Sequence, residues 1–256
     1  MMGNKDVIVI TGGAGGIGTA VVRRYASAGC RVLITDLNET VGQALASECG
    51  DNVSFHRVDV TDYSSVVSFT EYVGEEIGFV THLVSLAGGA LDEEAMGRTF
   101  EDVSVVGIDY TIRWNLNSHI YMIKALIPLF RACPTVDKSI TLVSSINALF
   151  SFGQPAYSAA KAGLIGIARG SANDLGRLGV RINVVLPGSV PTGASEPFLS
   201  DIYSILSEAS SLKRLSTPED LAGAIYAFSH LMTSVTGQYL PVDAGQLICY
   251  PYRKKN

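Results

Sequence analysis

Thr11-Gly12-Gly13-Ala14-Gly15-Gly16-Ile17-Gly18 decides how this chain is read. The stretch follows the apolar run Val7-Ile8-Val9-Ile10 and leads into Ala20-Val21-Val22-Arg23-Arg24-Tyr25-Ala26, which has a helical pattern. Strand, glycine loop and helix in that order make a seat for phosphate. Glycine permits the tight turn and lets backbone approach a pyrophosphate with no Cβ in the way. The helix then offers unpaired N–H groups and the positive end of its dipole to the anion.

Working outward, the run Arg31-Val32-Leu33-Ile34-Thr35 ends in an acid, Asp36, 18 residues after Gly18. A carboxylate there suits the hydroxyls of an adenosine ribose and repels a 2′-phosphate. The neighbouring Gly15, Leu37 and Asn38 supply no cation to attract one. NAD is therefore expected as the cofactor in preference to NADP.

Further apolar runs follow at Asn52–Val58, His82–Leu86, Ser139–Val143, Arg181–Val185 and Gln238–Val242. Strands that are apolar throughout are buried on both faces, which means a parallel sheet covered by helices. Between them lie amphipathic segments, one carrying Val66, Val67, Phe69, Tyr72, Val73 and Ile77, another Ile120, Ile123, Leu126, Ile127 and Phe130. The expected fold is α/β, a single doubly wound parallel sheet of about seven strands with helices on both faces, of Rossmann type. Residues 1–256 are expected to form one domain, with substrate loops at about 89–104 and 188–216.

Composition limits the alternatives. Of 256 residues, 47% are hydrophobic and 17% charged, with a net charge of −5, so no footprint for nucleic acid or an anionic membrane surface is visible. The basic run Arg253-Lys254-Lys255 reads as a solvated tail. Four cysteines stand far apart, and His56, His82, His119 and His230 show no ligand spacing, so no metal and no disulfide framework is expected. The apolar runs are too short to span a membrane, and the first strand starts too early to leave room for a signal peptide. A cytoplasmic protein is expected.

The second constellation is Tyr157-Ser158-Ala159-Ala160-Lys161. On a helix, residues i and i+4 share a face, which sets the phenol beside the ammonium. A nearby cation favours the phenolate, so a phenol with an ordinary pKa of about 10 can exchange a proton nearer neutrality. No Gly-x-Ser-x-Gly elbow surrounds Ser144 or Ser145, which argues against a hydrolase triad.

Together these motifs resemble the short-chain dehydrogenase/reductase family over essentially the whole chain. The family's Thr-Gly-x-x-x-Gly-Ile-Gly matches Thr11 to Gly18, and its Tyr-x-x-x-Lys matches Tyr157 and Lys161. Its helical asparagine matches Asn115, and its strand-end serine falls within Leu142-Val143-Ser144-Ser145. Arg-x-Asn-x-x-x-Pro-Gly matches Arg181, Asn183, Pro187 and Gly188, and the final strand resembles Thr236-Gly237-Gln238 with Val242-Asp243-Ala244-Gly245.

The resemblance implies roles. Tyr157 would be the general acid/base toward a carbonyl or alcohol oxygen, and Lys161 would hold the nicotinamide ribose and lower the Tyr157 pKa. Ser145 would hydrogen-bond the substrate oxygen, with Ser144 as the alternative, and Asn115 would position a water in a proton relay with Lys161. Gly12, Gly16, Ile17 and Gly18 would take the pyrophosphate, Asp36 the ribose, and Asp59 and Val60 the adenine. Ala87 and Gly88 would pass close to the cofactor. Pro187, Gly188, Val190 and Thr192 would line its nicotinamide end. A homo-oligomer, tetramer or dimer, is also implied.

The chain departs from the family at Ser85-Leu86, where Asn-Asn is usual, and at Ala244, where Gly is usual. The first departure keeps open an alternative, an NAD-binding sensor or scaffold of the same fold that has lost catalysis. Beside the catalytic set, Leu91, Asn147, Phe150, Phe152, Gln154, Val190, Phe198 and Tyr203 are candidate pocket residues. They suggest a neutral ketone or secondary alcohol as substrate, unless Lys213 and Arg214 turn inward to meet an anion. A sugar or polyol, a 3-oxoacyl thioester and a steroid-like alcohol all fit.

Overall fold

Alternation along each strand builds the core. In the computed structural model, which describes residues 6–92, 99–150, 153–193 and 202–248, β1 (Val7–Thr11) is buried at every position. Val7 and Val9 join one apolar cluster, while Ile8 and Ile10 join another. Successive side chains point to opposite faces, so the five central strands feed two cores. Leu33 and Leu83 go to the first cluster, and Val32, Ile34 and Val84 to the second.

Seven parallel strands make one sheet in the order β3-β2-β1-β4-β5-β6-β7. The others are β2 (Arg31–Asp36), β3 (Val53–Arg57), β4 (His82–Ser85), β5 (Lys138–Val143), β6 (Val180–Pro187) and β7 (Tyr239–Val242). The expected strands thus all occur, with ends moved by a residue or two, and β6 runs on through Leu186 and Pro187. Helices α1 (Gly16–Ser27), α2 (Glu39–Cys49), α3 (Tyr63–Glu76), α4 (Val105–Ile112), α5 (Ser118–Ala132), α6 (Pro155–Gly176), α7 (Tyr203–Ala209) and α8 (Pro218–Tyr226) complete the fold. The first cluster draws on α3, α5 and α6, and the second on α1 and α8, one on each side of the sheet. Order reverses between β1 and β4, and a crevice opens at such a switch point beyond the strands' carboxyl ends.

Local rules explain several boundaries. Asn38, Asp62 and Ser104 cap α2, α3 and α4 by accepting backbone N–H groups at the next turn. Thr217 and Asp220 form a capping box at α8, with Pro218 opening it. Of two π-helical turns, Arg113–Asn117 joins α4 to α5 and Ala227–Leu231 ends α8. Such single turns shift the register of carbonyls and recur at functional sites.

Arg181 and Asn183 hold the far end of β6. Arg181 donates to Asp137 at 2.8 and 3.3 Å, to the Phe228 and Met232 carbonyls at 2.6 and 3.1 Å, and to the Ser229 carbonyl at 2.9 Å. Asn183 joins the Val235 carbonyl to the Gln238 amide. The guanidinium therefore clamps the second π-turn in a way one ammonium cannot reproduce. Arg181→Lys should lower unfolding stability by about 2–3 kcal/mol, read as a lower urea midpoint with an unchanged slope.

His82, at the amino end of β4, is 3% exposed and donates to or accepts from Ser139 Oγ at 2.8 Å. Burial, assisted by neighbouring His230, pushes its pKa down to about 4, so the ring is neutral near pH 7.

Candidate active site

The glycine loop is built by close approach. Gly12 has φ +68°, and a Cβ there would lie 2.9 Å from both Cα and N of Ala87. A Cβ on Gly16 would lie 2.7 Å from Thr192 Cβ, and one on Gly18 would strike the Gly12 carbonyl. Side chains at these positions would fill the cradle, and their absence is what a pyrophosphate requires. Thr11 Oγ1 accepts the amides of Leu86 and Ala87 at 3.1 and 3.2 Å, tying the end of β4 to this loop. Ile17 sits in the first turn of α1, half-buried.

Asp36 ends β2 beside the loop. Its Oδ2 accepts the Ala14 amide and its Oδ1 the Asn38 amide, both at 3.0 Å. The carboxylate is thus fixed at the mouth of the cradle. Asp59 Oδ1 is held by the amide and hydroxyl of Thr61 at 2.9 and 2.7 Å, and Val60 beside it is buried. At the other end, Gly188 donates to the Val242 carbonyl at 3.1 Å, and a Cβ on it would meet Asp243 at 2.7 Å. The Val190 side chain is buried in the second cluster, so only its backbone can face a cofactor.

The residues expected to handle the proton come from three places, the helix α6, the first π-turn and the end of β5. Along α6, Ala156, Ala160, Leu164 and Ala168 form a buried stripe at intervals of four, which seats that helix on the sheet. Lys161 is carried inward with it, 3% exposed, and its Nζ donates to the Val143 carbonyl at 3.2 Å. Nζ lies 5.6 Å from the centroid of the Tyr157 ring. Burial disfavours the ammonium and brings the Lys161 pKa down to about 7.

Asn115 lies in the first π-turn and is fully buried. Its Oδ1 accepts the Gly89 amide at 2.9 Å, while Nδ2 donates to the Gly89 and Thr111 carbonyls at 2.9 and 3.1 Å. The side chain is therefore occupied in fixing the loop after β4, and a water held by Asn115 would meet its main chain. A Cβ on Gly88 would come within 2.6 Å of Asn115 Oδ1 and 3.0 Å of Lys161 Nζ. Gly163 on α6 packs against Leu116 in the same way, which brings α6 close to this turn.

Strand alternation separates the two serines. Ser144 is 4% exposed, and its hydroxyl donates to the Lys161 carbonyl at 2.7 Å, bracing α6. Ser145 is half-buried and caps the 3₁₀ turn Ile146–Ala148 by accepting the Asn147 amide at 3.2 Å. Asn147 in turn donates to Gln154 Oε1 at 2.8 Å. Leu91 and Tyr203 are half-buried and Phe150 is 56% exposed. Phe152 and Phe198, like 93–98 and 194–201 of the two expected substrate loops, lie outside the described residues. Arg214 is paired with Asp220 at 2.5 Å, and Lys213 with the Glu208 carbonyl, so neither turns inward.

A family model described as enoyl-(acyl carrier protein) reductase matches residues 12–246. A crystal structure of an oxidoreductase of the short-chain dehydrogenase/reductase family from Burkholderia thailandensis superposes with a TM-score of 0.86 at 35% identity, covering 95% of this chain and 93% of that one. The chain belongs to the short-chain dehydrogenase/reductase family. It is 33% identical to a 3-oxoacyl-(acyl-carrier-protein) reductase of Chlamydia muridarum over 94% of this chain and 97% of that protein. It is also 31% identical to a 2,5-dichloro-2,5-cyclohexadiene-1,4-diol dehydrogenase of Sphingobium indicum, over 93% and 95%. These relatives are oxidoreductases by name, and a short-chain dehydrogenase/reductase uses a nicotinamide cofactor, which the glycine cradle fits.

Two features of this member escape a sequence reading. His119, fully buried, shares a hydrogen bond of 2.7 Å with Ser85 Oγ. The histidine bonds Ser85 and Thr11 accepts the Leu86 amide, so the altered pair leaves β4 anchored. Burial and the nearby Lys161 push the His119 pKa well down. Gln246, near the end of the described chain, accepts the Ser189 amide at 2.8 Å and so supports the turn after Gly188. Ala244 takes φ +53°, a left-handed conformation in which a Cβ costs roughly 1 kcal/mol, where glycine is usual.

Proposed function

We propose that this chain is an NAD-dependent oxidoreductase that interconverts a ketone and a secondary alcohol, with Tyr157 as general acid/base. The buried Lys161 carries the reading. An ammonium placed in an apolar interior, 5.6 Å from one phenol ring, is costly unless it works there.

The residues divide the labour. In the reducing direction, the Tyr157 hydroxyl donates its proton to the substrate oxygen, and Ser145 hydrogen-bonds the same oxygen. Lys161 favours the phenolate that results and holds the nicotinamide ribose. Asn115 stations the water through which the phenol is reprotonated. When bound, the nicotinamide supplies or accepts the hydride. Asp36 receives the adenosine ribose, and Asp59 and Val60 flank the adenine. Gly12, Gly16, Ile17 and Gly18 seat the pyrophosphate, while Ala87, Gly88, Pro187, Gly188, Val190 and Thr192 border the nicotinamide.

The substrate class draws on Asn147, which bonds Ser145, and on Gln154, which bonds Asn147, neither of them cationic. Both named relatives act on a carbonyl or alcohol by their printed names, which supports the same class here. A cytoplasmic homo-oligomer is part of this reading. It draws on the apolar outer face of α4, where Val105 and Val106 are 74% and 78% exposed. No helix among the described residues is long and apolar enough to cross a membrane.

The test is reduced-nicotinamide absorbance over a panel of secondary alcohols and ketones with NAD and with NADP. NAD-linked turnover is expected, and tight NAD binding with no turnover on any substrate would favour the silent sensor. For the cofactor assignment, NAD should bind at least tenfold tighter than NADP, because an anionic carboxylate opposes the 2′-phosphate. Equal affinity for the two in the wild type defeats the role given to Asp36.

A further inference from the structure

Away from the crevice, at the amino ends of the strands, three side chains with no part in the proposed chemistry converge. Asp6 directly precedes β1, His82 opens β4, and His230 belongs to the π-turn Ala227–Leu231. One carboxylate oxygen and one nitrogen from each imidazole lie within 4.8 Å of one another, the one such His/Cys/Asp/Glu group among the described residues.

Each ring is oriented by a serine. Nδ1 of His82 meets Ser139 Oγ at 2.8 Å, and Nδ1 of His230 meets Ser229 Oγ at 2.6 Å. That leaves Nε2 of both rings as the available nitrogen. Histidine ligands are held in this way, one nitrogen fixed by a hydrogen bond and the other presented to a metal. His230 is further fixed by the Tyr226 ring, stacked on it at 4.3 Å and 4°. Ser229 is itself held by the Tyr25 hydroxyl at 2.6 Å, and its carbonyl by Arg181.

The Nε2 atom of His230 is buried and has no hydrogen-bond partner among the described residues. Asp6 Oδ2 stands 3.4 Å from it. That is long for an N–H···O bond, which prefers about 2.7–3.2 Å. Two donors on a tetrahedral zinc ion, with bonds of about 2.1 Å, sit about 3.4 Å apart. The remaining separations are at most 4.8 Å. We propose that Asp6, His82 and His230 form a zinc site, completed by water, that fastens the start of β1 to the turn after α8. Two imidazole nitrogens and one carboxylate suit a borderline divalent ion better than calcium or magnesium, which prefer oxygen throughout.

The experiment strips the purified full-length protein with a chelator and titrates it with Co²⁺, then with Zn²⁺ as competitor. One equivalent of Co²⁺ should give the visible absorption of a tetrahedral site, which Zn²⁺ abolishes, and Zn²⁺ should raise the thermal midpoint. Asp6→Asn and His230→Gln keep side-chain volume, and each should weaken uptake at least about tenfold with an unchanged circular-dichroism spectrum. Cys30→Ser should leave uptake as it is. Absence of stoichiometric uptake overturns the site and leaves a plain Asp6–His230 ion pair. Uptake unchanged in both ligand variants, or lost with Cys30→Ser, overturns it equally. None of these readouts uses turnover, so the result stands apart from the activity proposed above.

Discussion

Tyr157→Phe will lower turnover by about 10²–10⁴-fold, the range that a positioned general acid/base contributes, while NAD affinity stays within about threefold of the wild type. The substitution removes one oxygen and keeps the ring. Phenylalanine can still lie against Lys161, which stands 5.6 Å from the ring centroid, so packing of α6 survives. What disappears is the only hydroxyl in the proposal that gives a proton to the substrate oxygen. Steady-state rates with the best alcohol of the panel, set beside a cofactor titration by fluorescence, separate the two effects. A variant with full turnover would remove Tyr157 from the mechanism.

Lys161→Met should divide function from stability. Turnover should fall by at least about 10²-fold, since the phenolate loses its cation, yet the cofactor-free protein should become more stable below pH 7. The reasoning is linkage. Burial lowers the Lys161 pKa from 10.5 to about 7, so between these values the unfolded chain holds a proton that the folded chain has lost. Stability must then rise with pH across that window, and below it the penalty is fully present. At 1.36 kcal/mol per pKa unit the gross penalty is roughly 5 kcal/mol. Losing the hydrogen bond to the Val143 carbonyl offsets part of it, which leaves a gain of about 2 kcal/mol for the variant at pH 6.5. Urea midpoints at pH 6.5 and pH 9 measure this, and the advantage should shrink at the higher pH. Parallel wild-type and variant curves would show that the ammonium is not penalised by burial.

The central strands were legible because they are buried on both faces, the pattern of a covered parallel sheet. The glycine loop was legible because every residue of it is adjacent in sequence. Spacing to Tyr157 alone does not rank Ser144 and Ser145; strand register puts Ser145 first, and the bond from Ser144 to the Lys161 carbonyl is visible only once α6 is in place. The π-turns carry no periodic signal, so neither the side-chain clamp of Asn115 on Gly89 nor the position of His230 could be foreseen. Asp6, His82 and His230 come from three separate elements and meet only through the sheet order, which is why no ligand spacing appears. Ser85 looked like a loss when read alone, and the compensating His119 lies on another element.

The hydrogen bond from the Ala14 amide to Asp36 has a consequence for anyone seeking to change the cofactor. The carboxylate is a strut of the loop as well as the proposed reader of the ribose, so the cradle is shaped before a ligand arrives and little entropy is lost on binding. Deleting it to admit a phosphorylated dinucleotide would slacken the seat for both dinucleotides at once. A redesign of coenzyme preference in this scaffold must therefore install the new cation and, separately, a new acceptor for that amide.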